Sequence, residues 1–145
     1  MPLTDEGESR LVLLIFNNTN FADIGDATGL RGSTTAGVLW LSLHTALPVG
    51  HDQTSNEATY TSYARVSVAR SGAGFACAGA IASNAAAVNF PTATGGSSVC
   101  THFGVGTATS GTGHLVGVGA FDSSLTVSTG ILPNFAIGAL QAQAV

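Results

Sequence analysis

From residue 38 onward, apolar side chains recur at every second position for a few residues, and each run stops at a turn rich in glycine, serine or threonine. VLWLSLH (38–44) sets Leu39, Leu41 and Leu43 on one side, with Val38, Trp40, Ser42 and His44 on the other. In YARVSVAR (63–70), Ala64, Val66 and Val68 alternate with Arg65, Ser67 and Ala69. Successive side chains of a strand point to opposite faces, so this period of two predicts strands. Further short runs at 75–82, 86–90, 101–105, 114–120, 124–128 and 131–137 are separated by turn sequences such as SGAG (71–74), TGGSS (94–98), TSGTG (109–113) and STG (128–130). The expected fold is all-β, an antiparallel β-sandwich or jelly roll of about eight strands. No internal repeat stands out.

The residues before 38 follow a different pattern. Thr4 is placed to cap a helix, Asp5, Glu6 and Glu8 fall in the first turn where negative charge is favoured, and Leu11, Leu14 and Ile15 share one helical face. Asn17-Asn18 would end that helix. A buried strand over LVLLIF (11–16) is the competing reading, because so short an apolar run fits either period. ADIGDATGLRGSTTAG (22–37) carries four glycines and no apolar stripe, which predicts an extended arm lying on some other surface. With 145 residues there is room for one domain, so residues 1–37 are expected to be a helix and arm belonging to the same domain as the body at 38–145.

Charge is the scarce commodity. Charged residues make up 8% of the chain, against about 25% in an ordinary soluble protein. Glycine, alanine, serine and threonine together supply about half of it. Lysine is absent, and the four cations are Arg10, Arg31, Arg65 and Arg70. A phosphate-binding P-loop, a Schiff-base lysine and a polybasic nucleic-acid tract are therefore all missing, and no nucleic-acid partner is expected. The N-terminus is acidic where a secretory signal is basic, and six apolar residues at 11–16 are too few for a signal core or a membrane span. The expectation is synthesis in a host cytoplasm with no membrane partner, and with Cys77 and Cys100 as small buried hydrophobes rather than a disulfide.

No catalytic, cofactor-binding or metal-binding residue is assigned. Gly95-Gly96-Ser97-Ser98-Val99 lacks the second glycine of a nucleophile elbow and reads as a turn. His44, His51, His102 and His114 have no spacing that pairs two imidazoles on a helix, and His51-Asp52 reads as a solvated loop pair. Five of the eight acids lie in the first 26 residues, and of the other three Glu57 and Asp122 are the carboxylates to consider for glycoside chemistry. Trp40, Tyr60 and Tyr63 could stack on a sugar but equally serve as packing anchors.

Ordered phrases through the chain resemble a set of small tailed-bacteriophage virion proteins: ADIGDATGLRGSTTAG (22–37), LWLSLHTALP (39–48), NEATYTSYARVSVARSGAGF (56–75), SNAAAVNFPTATGGSSVCTHFGVGTATSGTGHLVGVGAF (83–121) and SLTVSTGILPNFAIGALQ (124–141). The resemblance spans about residues 8–143 and is nearest to capsid decoration, or cement, proteins, whose members are often loosely labelled tail-fibre proteins. It implies a jelly-roll fold and a non-enzymatic protein on the outer surface of a phage head, dimeric, bridging major capsid protein subunits. Where many relatives read LYVALHTADPGE, this chain has LWLSLHTALPVGH, so the acidic character of that loop is lost. The alternative is a tail-associated receptor or carbohydrate binder. Arg31, Trp40, Arg65 and Arg70 are the candidate partner contacts, because charge-assisted bonds and a bulky anchor are rare in this sequence.

Overall fold

The computed structural model describes residues 2–145, and its contacts gather into two compact units. The first runs through Val38 and takes in Val68–Ala86 and Ile137–Val145; the second comprises Leu39–Ser67 and Ala87–Ala136. Among the described residues there are nine strands in three antiparallel sheets and one α-helix, so the protein is all-β with a short N-terminal helix, as the alternation predicts.

In the first unit, helix α1 (Asp5–Asn17) begins at Thr4, whose hydroxyl accepts a hydrogen bond from the Gly7 N–H at 3.2 Å. It ends at Asn18, which adopts a left-handed conformation (φ 57°) and donates its backbone N–H to the Leu13 carbonyl. Both caps are those the sequence predicts, but the buried stripe is not. Val12 and Phe16, one turn apart, are the buried pair, and Leu11, Leu14 and Ile15 are only half-buried. The helix packs on the hairpin of β3 (Phe75–Ala78) and β4 (Ile81–Asn84), where the rings of Phe16 and Phe75 meet edge to face at 5.1 Å. Gly79 (φ 58°) turns this hairpin and divides the run at 75–82 into two strands. Strand β9 (Gln141–Gln143), which no alternation announces, joins the free side of β4. Buried Asn84 secures the join: its side chain accepts from Leu140 N–H at 2.9 Å and donates to the Ala86 carbonyl at 2.8 Å.

The expected extended arm is a closed loop. Phe21 and Leu30 exchange two backbone hydrogen bonds of 2.9 Å, and the Asn18 amide brackets Ser33 by accepting from its N–H at 2.7 Å and donating to its carbonyl at 2.9 Å. Gly29 permits the closure, since a Cβ there would lie 1.9 Å from the Phe21 carbonyl oxygen and its φ is +62°. The segment has no apolar stripe, yet these polar side chains give it internal order that composition does not reveal.

The second unit holds most of a sheet ordered β2-β1-β6-β7, from β1 (Val38–His44), β2 (Val66–Ala69), β6 (Ser97–Gly106) and β7 (Leu115–Ser128). One face buries Leu41, Leu43, Phe103 and Val105, and the other buries Ser42 and His44. Cys100 pairs with Leu125 and His102 with Ala120, so four residues of β7 (121–124) bulge opposite Thr101 alone. Across that irregularity β6 passes from burying every second residue, Ser98 and Cys100, to burying every residue from Phe103 to Gly106, and the two runs at 114–120 and 124–128 form one strand. The minor pair β5 (Val88–Asn89) and β8 (Asn134–Phe135) is tied to the sheet by a chain of rings: Phe103 to Phe121 at 5.9 Å, Phe121 to Phe135 at 5.2 Å, and Phe135 to Phe90 at 5.9 Å.

Truncating the aromatic under the helix tests this packing. Phe16→Ala is expected to lower stability by about 3–5 kcal/mol, measured by urea unfolding.

Candidate functional site

Because ionic side chains are so few, their placement shows what the molecule does with them. Within the second unit, Arg65 Nε contacts Glu57 Oε1 at 2.7 Å and Nη2 contacts Oε2 at 2.8 Å, a two-pronged ion pair. The same guanidinium donates from Nη1 to the Ala108 carbonyl at 2.9 Å and from Nη2 to the Gly111 carbonyl at 2.8 Å, fastening the loop that leads into β7. The Tyr63 hydroxyl donates to Glu57 Oε1 at 2.8 Å and accepts from Leu43 N–H at 3.1 Å. Burial, reinforced by the Glu57 charge, raises the Tyr63 hydroxyl above the usual tyrosine range, and the bonds to Glu57 raise Arg65 above its ordinary value.

These groups border a cleft of about 260 Å³ between Tyr63–Arg65 and Thr109–Gly111. Its chemistry is already committed. Arg65 directs four hydrogen bonds at protein oxygens, so it offers no open fork to an anion, and Glu57 answers a cation and a phenol at once. The cluster is a structural clamp.

A serine and a histidine also meet. Ser42 Oγ lies 2.8 Å from His44 Nε2, and His44 Nδ1 lies 2.8 Å from the Ser55 carbonyl, which assigns the ring proton to Nδ1 and makes Nε2 the acceptor. Both residues have 0% exposure, so no substrate reaches this pair. Burial lowers the His44 pKa from its ordinary 6.5, partly opposed by the Ser55 carbonyl and Glu57. Asp52 does not orient His51. Its carboxylate instead accepts from the Thr54 N–H at 2.8 Å and hydroxyl at 2.7 Å, bonds that hold it below the usual carboxylate range. Rings of His51 and His114 stack at 5.6 Å, and no group of three or more metal-ligating side chains is found among the described residues. Both cysteines are free, and burial pushes Cys100 up to about 11 and Cys77 in the same direction, so each stays a protonated thiol.

The four candidate contacts separate into two kinds. Arg65 is 7% exposed and occupied in the clamp. Arg70, in the first unit, donates to the carbonyls of Leu14 and Ile15 at 2.5 Å each, to Asn18 Oδ1 at 2.8 Å and to Ser33 Oγ at 3.0 Å. It therefore places a cation at the helix C-terminus, where the carbonyls carry partial negative charge, and ties in the closed loop. Arg31 is exposed and Trp40 half-buried. The aromatic triad does not form a sugar platform: Tyr60 is 2% exposed and bonded to the Pro91 carbonyl, and Tyr63 lies between Tyr60 and Phe90 at centroid distances of 5.4 and 6.4 Å. The clamp went unread in the sequence although one signal was there: in residues 38–145 the only cations are Arg65 and Arg70, and Glu57 is eight positions from the first.

Residues 17–143 match the family described as Podophage GP4 fiber I protein gp80, and the chain belongs to that family. It is accordingly a bacteriophage structural protein, associated with the virion. No curated protein matches the sequence.

Two measurements check the site. Arg65→Met strands the Glu57 carboxylate and two carbonyls, and is expected to cost about 3–5 kcal/mol by urea unfolding, whereas Arg31→Met stays within about 0.5 kcal/mol of wild type. For His44 the folded pKa lies below the unfolded one, so the unfolded chain binds more protons as pH falls past 6.5. Stability is expected to decline between about pH 7 and about pH 5, and His44→Gln to remove part of that slope.

Proposed function

We propose that this chain is a non-enzymatic cement on the outer surface of a phage head, bridging neighbouring major capsid protein subunits. The observation that carries the reading is how the chain uses its ionic groups. Arg65, Glu57 and Arg70 are turned inward to hold the fold, and the exposed surface is left largely to small uncharged residues and scattered apolar ones such as Val49, Val99 and Val118. Such a surface suits close backbone approach in a repeating lattice, and small side chains lose little rotamer entropy on docking, where long ones cost about 0.5–1.5 kcal/mol each. Many identical copies then multiply a modest affinity. The sealed Ser42–His44 pair and the commitment of Arg65 to four protein oxygens support a role without turnover.

The family description carries the word fiber, which favours a second reading, attachment at the tail. A fibre shaft is usually built from repeats, and the sequence shows none, so this reading fits a short fibre component better than a shaft. A carbohydrate-binding role is the less supported form of it, since Tyr60 is buried and half-buried Tyr63 packs between Tyr60 and Phe90.

Immunogold labelling of intact virions separates the two. Gold distributed over the head surface is the expected result, accompanied by heads that resist heating or low salt better when the purified protein is added. Gold confined to the tail, with no change in head stability, would defeat the cement reading.

A further inference from the structure

The fold employs two of its four histidines. His44 is buried with both ring nitrogens engaged, and half-buried His102 shares a hydrogen bond of 2.8 Å with the Thr101 hydroxyl. His51 and His114 are exposed, and neither ring has a hydrogen-bond partner among the described residues. Their lone pairs are open to solvent. Yet the two rings, far apart in sequence, sit side by side with centroids 5.6 Å apart and planes inclined by 29°.

Backbone bonds fix that proximity. The His51 carbonyl accepts from the Leu115 N–H at 2.8 Å, and the Gln53 N–H donates to the Thr112 carbonyl at 2.8 Å, so the chain at 51–53 is laced to both sides of His114. His114 is itself held to Thr107: its N–H donates to the Thr107 hydroxyl at 3.0 Å and its carbonyl accepts from the Thr107 N–H at 3.1 Å. The Gln53 side chain, 0% exposed, fills the space that side chains at Gly106 and Gly113 would need and accepts from the Ala108 N–H at 2.9 Å. Both rings therefore project from anchored backbone, and only their own torsions remain to be ordered when they close on a common ligand.

A neutral imidazole offers one lone pair to a metal, and zinc takes it at about 2.0–2.1 Å. With that bond length, two imidazoles on one tetrahedral ion have centroids about 5 Å apart. The observed 5.6 Å is within reach of small ring rotations. Nitrogen donors suit zinc, nickel and copper, whereas magnesium and calcium seek oxygen. Asp52, next in the chain, adds a negative charge near the site, but its Oδ1 is taken up by Thr54.

We infer that His51 and His114 together bind a divalent transition metal of the zinc class, with water in the remaining coordination positions. The site goes beyond the proposed location, because it requires no other virion protein.

Calorimetric titration of Zn2+ into the purified full chain, freed of metal and held near neutral pH in a buffer that does not bind metal, tests it. One ion per chain is the expected result, with no heat from Mg2+. His51→Gln and His114→Gln should each raise the Zn2+ Kd at least about tenfold, with the metal-free melting temperature kept because both rings are exposed. Zn2+ should also shift the NMR ring signals of His51 and His114 together while those of His44 stay in place. Absence of binding at millimolar Zn2+ overturns the inference. So does binding indifferent to both variants, binding abolished instead by Cys77→Ser, or a shift at only one of the two rings. Labelling of the tail instead of the head would leave these results unaffected, so the two proposals fail independently.

Discussion

The pairing of β6 with its two neighbours governs the second unit. β6 takes β1 on one side and β7 on the other, and where β7 bulges past Thr101 it passes from one buried face to two. The lower half buries Ser98 and Cys100, the upper half buries every residue from Phe103 to Gly106, and Phe121, in the bulge, stacks on Phe103. The ring chain from Phe103 to Phe90 runs through Phe121, which lies in that irregularity.

Charge in this molecule works as internal fastening. Arg70 holds the end of the helix and the closed loop after it, and Arg65 holds Glu57 and the loop before β7. Each guanidinium spans segments distant in sequence, with planar donors that reach several oxygens at once, which a chain without lysine obtains from very few residues. Outside the exposed charges of residues 5–31 and Asp122, the exterior is left largely to groups that neither repel a neighbour nor carry a tight hydration shell. A structural protein of a virion has use for such an exterior, since it must lie against other proteins in fixed register.

Much of the architecture was legible from local pattern. The run VLWLSLH coincides with β1, and Thr4 and Asn18 cap the helix where the sequence places its ends. What escaped was set by tertiary partners. The alternation at 63–70 suggests eight residues of strand, but the strand is only Val66–Ala69, because Tyr63 and Arg65 turn in toward Glu57. Ser42 and His44 look like a solvent-facing row, yet both are buried, so β1 is covered on both faces. Strand β9 is three residues of Gln-Ala-Gln, too short and too polar to announce itself, and it forms because β4 offers an edge and Asn84 grips Leu140. Of the candidate contacts, only the exposure of Arg31 and the partial exposure of Trp40 agree with an outward role, since no local pattern reveals that an arginine has an internal carboxylate waiting.

The long reach between β1 and β6 has a consequence for timing. Leu41 lies beside Val105, so the sheet cannot close until more than sixty further residues have left the ribosome. Topologies dominated by distant pairings fold slowly, because the chain loses loop entropy before any contact rewards it. The nascent protein therefore passes through an interval in which the sticky VLWLSLH segment has been made and its partner has not. The hazard of clumping is greatest during that interval, before the sheet has closed over the segment.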